Sequence, residues 1–164
     1  MAGRRGKAAA EPTAYQRALG LLVRREHSRK ELTRKLQAKG LDADEAEAAL
    51  DVLSRQDFQN DDRFAEALAR TRASSGYGPV RIRAELATHG LPRETVDAAL
   101  EACDRDWLAS ARDLVARRFG RKDLADPAQR RKAVDFLLRR GFDQRAAFSS
   151  VRSAPDDDEA DFSG

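Results

Sequence analysis

Residues 76–91 read GYGPVRIRAELATHGL, and this stretch decides the fold. Pro79 suits the first turn of a helix, where the missing N–H of proline costs nothing. Gly90 suits the left-handed residue that follows a helix. Between them Ile82 and Leu86 stand four residues apart, which is the spacing of an apolar helical stripe. The stretch therefore predicts one short helix with its own start and stop signals.

The same pattern recurs on both sides of this stretch. Gly40 lies 50 residues before Gly90, and Gly141 lies 51 residues after it. Apolar residues stand four positions before each glycine and one, six and ten positions after it. In that order they are Leu36, Leu86 and Leu137; Leu41, Leu91 and Phe142; Ala46, Val96 and Ala147; and Leu50, Leu100 and Val151. A fixed period of this length predicts tandem repeats, which work by presenting an extended surface to a large partner.

Each repeat is expected to contain three helices. In the first, Leu19, Leu22 and Val23 share one face, and that helix is expected to run to about His27. Ser28 then has the character of an N-cap for the second helix. No segment has the alternating pattern of a strand. We therefore predict an all-α fold, an elongated tandem array of three three-helix repeats that resemble helix-turn-helix units.

The second and third repeats carry the same kind of boundary signal. Gly78 stands at the phase of Ser28, and Asp126 with Pro127 forms an N-cap followed by a first helical residue. We divide the chain into a disordered leader, three repeats and an acidic disordered tail. These segments are residues 1–13, 14–55, 56–103, 104–154 and 155–164.

Composition excludes several classes of protein. Cys103 is the one cysteine, so neither an intramolecular disulfide nor a cysteine metal cage is possible. The longest strongly apolar run, residues 19–23, is far shorter than the ~20 residues of a membrane span. The N-terminus has no apolar core after its basic residues, so we do not expect it to be a secretory signal. We expect a cytoplasmic protein that has no contact with a membrane and is a monomer.

The sequence offers no catalytic, cofactor or metal site. His27 and His89 are both expected at helix ends, where the helix dipole favours them as caps. Neither a phosphate-binding GxxxxGK[ST] loop nor a GxGxxG motif is present. Cys103 falls in an apolar column and is interpreted as a buried small residue, and Trp107 as a core anchor between the second and third repeats. We therefore expect a protein that is not an enzyme.

Charge is unevenly distributed along the repeats. The net charges are +2 for residues 14–55, −2 for 56–103 and +6 for 104–154. Three basic clusters are candidate contacts with a polyanion or an acidic protein, and their alternative interpretation is an ordinary solvated face. The first cluster is Arg24, Arg25, Arg29, Lys30, Arg34 and Lys35; the second is Arg81 and Arg83 beside Tyr77; the third is Arg117, Arg118, Arg121, Lys122, Arg130, Arg131, Lys132, Arg139 and Arg140.

Two further features leave alternatives open. Tyr77 lies on a tight Gly-Tyr-Gly-Pro loop, where it either packs on its own repeat or enters an interface, since Tyr and Arg are enriched at interface hot spots. The tail carries five acidic residues. These acids are a candidate for folding back on the basic third repeat and competing with a partner.

Three segments together resemble a known family. They are REHSRKELTRKLQAKGL at residues 25–41, DDRFAEALARTRA at 61–73 and GYGPVRIRAELATHGL at 76–91. Their order and spacing are similar to those of the RecX regulatory proteins of bacteria. The resemblance extends over residues 14–151 and is loosest in the third repeat.

The resemblance implies a function in DNA repair, homologous recombination and the SOS response. RecX-like proteins are modulators of the recombinase RecA, without catalytic residues or a cofactor. The resemblance implies binding in the groove of the RecA filament on single-stranded DNA, which mainly inhibits ATP turnover and strand exchange. The alternative is a helical nucleic-acid-binding protein that needs no RecA, because a basic helix can lie on phosphates.

Overall fold

A computed structural model describes residues 9–120 and 123–152. Within these ranges the chain forms nine α-helices and a short 3₁₀ turn at Asp123–Ala125, with no strand, which confirms the all-α prediction. None of the described helices is long and apolar enough to cross a membrane. The helices are α1 Ala14–Leu22, α2 Arg29–Ala38, α3 Ala43–Arg55, α4 Asp61–Ser74, α5 Pro79–Ala87, α6 Arg93–Ala102, α7 Trp107–Phe119, α8 Pro127–Arg140 and α9 Gln144–Val151.

The chain divides into two compact units, one extending to Phe64 and the other starting at Ala65. In the N-terminal unit α1 and α2 both pack on α3. The buried core of this unit is built by side chains at helical spacing, with Leu19, Leu22 and Leu41 packed around it. Its buried members are Ala18, Leu32, Leu36, Ala46, Leu50 and Leu53.

The C-terminal unit contains the rest of α4 and all later helices. Here α5 packs on α6, and α7, α8 and α9 pack on one another. Ile82 and Leu86 of the opening stretch are completely buried. The core around α7 to α9 consists of Ala111, Val115, Ala133, Val134, Leu137, Phe142, Ala147 and Val151, and Trp107 is partly buried against it.

The predicted helix starts are confirmed by their caps. Ser28 begins α2, and its Oγ accepts the N–H of Glu31 at 3.1 Å. Pro79 is the first residue of α5 after Gly78. Asp126 caps α8, and its side chain accepts the N–H of Ala128 at 3.1 Å. The starts of α2 and α8 were predictable because each cap is a local contact between residues two or three positions apart, and the start of α5 because proline suits the first helical turn.

The three periodic glycines have the backbone that the sequence predicts. Gly40, Gly90 and Gly141 have φ values of +83°, +68° and +91°. After Gly40 the N–H of Leu41 donates to the carbonyl of Leu36 at 3.2 Å, and Phe142 donates to Leu137 in the same way at 3.1 Å. These bonds are those of the Schellman helix end.

Two expectations for the first repeat were wrong. The first helix ends at Leu22, not near His27, and Val23 is 79 % exposed. His27 is not a helix-end cap, because it lies before the N-cap of α2 and is buried. Cys103 follows α6 and is half-buried. Residues 1–8 of the predicted leader and the whole predicted tail lie outside the described residues, and the five-segment division stays a prediction.

Candidate partner-binding surface

The first basic cluster divides into paired and unpaired cations. Three members form ion pairs inside the N-terminal unit. Arg25 and Lys35 both bind the Glu31 carboxylate, at 2.6 and 3.2 Å, and Arg29 binds Asp51 at 2.5 Å. The other members are exposed and have no ion pair within residues 9–120 and 123–152. They are Arg24, Lys30 and Arg34.

The Glu31 carboxylate is the centre of a buried polar network. Its burial raises the pKa, but hydrogen bonds from Arg25 and Lys35 outweigh this effect and lower the pKa to about 2. His27 lies beside it, with Nδ1 3.0 Å from the carbonyl oxygen of Arg25 and Nε2 3.4 Å from Nζ of Lys35. A carbonyl only accepts and an ammonium only donates, so the imidazole is neutral, with its proton on Nδ1. Burial lowers the pKa of His27, in agreement with the neutral ring.

Two residues of this region carry no signal in the sequence. Asp61 Oδ1 accepts the backbone N–H of Arg29 at 2.9 Å and the side-chain amide of Gln59 at 3.0 Å. Gln59 also donates to the carbonyl of His27 at 3.4 Å. Asp61 thus binds a free N–H in the first turn of α2, and no local pattern pointed to it because 32 residues separate it from Arg29.

The second basic cluster is also used within its own unit. Tyr77 has the Arg81 guanidinium 4.3 Å from its ring centre and that of Arg140 at 5.2 Å, so two cations stack on one aromatic ring. Arg83 binds Asp97, and its hydrogen bond lowers the pKa of that carboxyl. Tyr77 thus contacts Arg81 of its own repeat and Arg140 of the third repeat, and its part in an interface stays a prediction.

Around Tyr77 the backbones of the α5 N-terminus and the α8 C-terminus touch. The N–H of Gly78 donates to the carbonyl of Arg140 at 2.8 Å, and the N–H of Val80 donates to that of Gly141 at 2.9 Å. A Cβ on Gly78 would overlap the backbone of Gly141, and a Cβ on Gly141 would overlap Arg81. Gly78 and Gly141 are therefore required by the close approach of two chain segments.

A neighbouring ion pair links α4 to α5. Arg72 of α4 binds Glu85 of α5 through two hydrogen bonds of 2.7 and 2.8 Å. The bond from Arg72 lowers the pKa of Glu85. Glu85 belongs to the opening stretch, but its partner lies 13 residues earlier, and no pattern in the sequence indicated the pair.

The third basic cluster keeps the largest set of unpaired cations. Arg118 and Arg140 lie over the Phe136 ring, at 5.8 and 5.3 Å, and Arg130 donates to the carbonyls of Leu124 and Ala125. No pattern in the sequence indicates the contacts of Phe136. Four members are exposed and have no ion pair in the part of the chain that the structure describes. They are Arg117 on α7 and Arg131, Lys132 and Arg139 on α8. Arg121 and Lys122 lie outside the described residues.

The described residues hold no group of three or more His, Cys, Asp or Glu side chains that suits a metal ion. The features that remain are the backbone junction at Gly78, the four unpaired cations on α7 and α8, and the smaller unpaired set of Arg24, Lys30 and Arg34. Such an arrangement can bind acidic or phosphate groups through exposed charge, with α7 and α8 as rigid supports.

Comparison with known proteins identifies the family. Models of the first, second and third three-helix domains of RecX match residues 14–53, 60–100 and 104–147. The chain belongs to the RecX family. The match confirms the resemblance recognised from the three sequence segments, and it confirms the prediction of three successive three-helix units.

Individual RecX relatives are similar over nearly the whole chain. "Regulatory protein RecX" of Xanthomonas axonopodis pv. citri (strain 306) is 56 % identical over 151 residues, which are 92 % of this chain and 93 % of that protein. The protein of the same name from Stenotrophomonas maltophilia (strain R551-3) is 56 % identical and covers 90 % of each chain.

Two solved RecX structures have the same fold. RecX from Lactobacillus salivarius superposes with a TM-score of 0.72 at 24 % identity, over 84 % of this chain and 92 % of that chain. A second crystal structure, of "regulatory protein RecX", gives 0.66 at 24 % identity over 81 % and 67 %. At this identity the likeness concerns the fold alone.

Proposed function

We propose that this RecX-family chain regulates RecA. Its membership of a family of regulatory proteins supports this function, and it also favours a protein that is not an enzyme. In the finer form of the proposal, the chain binds in the groove of the RecA filament on single-stranded DNA. Bound there it limits ATP turnover and strand exchange.

The single observation that carries the contact surface is the set of four unpaired cations on α7 and α8. A cation that already binds a carboxylate or an aromatic ring loses that contact when it turns to a partner. Arg117, Arg131, Lys132 and Arg139 have no such contact to lose among the described residues. We propose that these four make the main contacts with the acidic or phosphate groups of the filament. The other predicted contacts, Tyr77 included, stay predictions.

The test reverses three of these charges on one helix. In Arg131→Glu/Lys132→Glu/Arg139→Glu we expect the concentration that half-inhibits the DNA-dependent ATPase of RecA to rise at least about tenfold. Three exposed contacts at about 0.2 to 1 kcal/mol each give an effect of this order, and reversal adds repulsion. The measurement is a titration of the protein into RecA on single-stranded DNA with ATP.

The first repeat offers a matched control. Arg24→Glu/Lys30→Glu/Arg34→Glu changes the net charge by the same amount, also at exposed and unpaired positions. Long-range attraction to a polyanion is therefore reduced equally in both variants. We expect the control to inhibit RecA clearly better than the α8 variant. Equal losses in the two variants would show that net charge, not the α8 surface, determines inhibition.

Binding without RecA is the second candidate, because the same cations also suit bare phosphates. The two functions separate when affinity for single-stranded DNA is measured with and without ATP-bound RecA. The proposal requires a large gain in affinity with RecA. Tight binding to bare DNA that weakens steeply with salt would support the RecA-independent function.

A further inference from the structure

The third repeat contains an open groove. Of the four proposed main contacts with RecA, only Arg131 lines it. The groove has a volume of about 870 Å³ and lies between α8 and α9. Its apolar wall includes Val134, Val151 and Phe148, whose side chain is 52 % exposed. Covering such an exposed apolar side chain removes it from water, so this wall can hold an apolar anchor.

Charged side chains surround this apolar wall. Arg130, Arg131 and Arg152 line the groove together with one acid, Asp135, so its charged rim is positive. Arg130 is held in place by the carbonyls of Leu124 and Ala125. Arg131 is exposed and has no ion pair among the described residues. The groove therefore suits a segment that combines carboxylates with one aromatic or aliphatic anchor.

The sequence places such a segment immediately after the groove. Residues 156–162 read DDDEADF, with five acids followed by Phe162. Arg152 is both a lining residue and the last described residue of this part of the chain. Phe162 lies ten positions further along the chain, and an extended chain of that length reaches about 33 Å. A segment tethered this closely has an effective concentration on the order of millimolar, so a weak interaction suffices to fill the groove.

We propose that residues 156–162 bind in the α8–α9 groove of their own chain, with Phe162 against Phe148 and the acids on the arginine rim. This binding is independent of RecA. A second copy of the chain and an external acidic peptide are the competing occupants, and short tethering favours the chain's own segment over both.

The experiment places a nitroxide spin label at the end of the full-length chain. Cys103→Ser with Ser163→Cys provides a single labelling position, and NMR records the broadening of backbone amide signals of α8 and α9. We expect strong broadening of residues that line the groove, with a marked decrease between about 0.05 and 0.5 M salt as the charge interactions are screened.

A control of equal length separates binding from mere proximity. In it the five acids are replaced by Asn and Gln and Phe162 by Ser, with the label unchanged. The proposal requires much weaker broadening in this control and in the groove variant Phe148→Ser, which alters a half-exposed side chain and leaves the core intact. Equal broadening in all three proteins would overturn the proposal. A mixture of labelled and isotope-enriched unlabelled chains tests the second copy, and broadening between chains would overturn the intramolecular form.

Discussion

At the scale of single residues, the glycines of this chain are required for different physical reasons. Gly40 has a φ of +83°, and a Cβ added there would meet no other atom within 4 Å. Gly78 has an ordinary φ of −90° but touches the backbone of Gly141. Gly141 has both a φ of +91° and a close neighbour, Arg81. The periodic pattern predicts the turns at Gly40 and Gly141, but it gives no sign that Gly78 and Gly141 meet.

Alanine substitution separates the effect of a left-handed backbone from the effect of close contact. Gly40→Ala should cost about 1 to 2 kcal/mol, because a residue with a Cβ is strained in a left-handed backbone. Gly78→Ala should cost about 1 to 3 kcal/mol through overlap alone, and Gly141→Ala more than either, because it combines both effects. The measurement is urea unfolding, with hydrogen exchange of α5 and α8 amides to locate the loss. Full protection of α8 in Gly78→Ala would contradict the junction.

At the scale of helices, the starts and the glycine-marked ends were predictable, whereas the end of α1 and the side-chain pairings were not. The starts of α2 and α8 follow from Ser28 and Asp126, whose caps are local. The end of α1 was missed because apolar spacing continues to Val23 and neither glycine nor proline marks the stop. The sequence also does not show which cations are unpaired, because partners such as Arg29 and Asp51 lie 22 residues apart.

The polar network around Glu31 of α2 predicts how the stability of the fold depends on pH. Because Glu31 has a folded pKa of about 2 and an ordinary value of 4.5, the unfolded chain takes up the proton first as pH falls. The stability that Glu31 contributes is therefore complete above about pH 4.5 and is lost towards pH 2; the shift corresponds to at most about 3 kcal/mol. His27, whose pKa is lowered from 6.5, adds a loss of stability that begins below that pH.

Glu31→Gln tests this assignment. We expect the variant to be less stable than the wild type at pH 7 and the difference to shrink as pH falls from 4.5 towards 2, because the wild type then loses its carboxylate. Urea unfolding at several pH values, with hydrogen exchange of α2 amides, measures it. Asp44→Asn removes an exposed carboxylate that has no ion pair among the described residues, and it is the control for the loss of one negative charge. A constant difference between Glu31→Gln and wild type across this range would refute the assignment.

At the scale of the whole molecule, charge is separated between the third repeat and the segment that follows it. Residues 104–154 carry a net +6, and residues 155–164 carry −5. Arg131 belongs both to the groove and to the four cations that we assign to RecA. If residues 156–162 occupy the groove, they compete with the filament for this arginine.

Neutralising the five acids should therefore strengthen inhibition of RecA. With Asn and Gln at these positions we expect the half-inhibitory concentration to fall several-fold at low salt, and the difference from wild type to vanish near about 0.5 M salt as screening removes it. The RecA ATPase titration measures both. The groove variant Phe148→Ser should behave like the neutralised chain if Phe162 anchors the segment. If the neutralised chain inhibited RecA no better than the wild type at low salt, the proposed competition would be refuted.

The contact between Gly78 and Gly141 also bears on how this chain can change over time. It is formed by main-chain atoms and by the absence of two side chains, so it makes no demand on the polarity of the residues nearby. Exposed positions of α8 away from the junction, such as Arg131, Lys132 and Arg139, are free to exchange one charge for another without loosening α8 from α5. For protein engineering, α8 is therefore a firmly anchored helix whose exposed side chains can be substituted to bind a new partner.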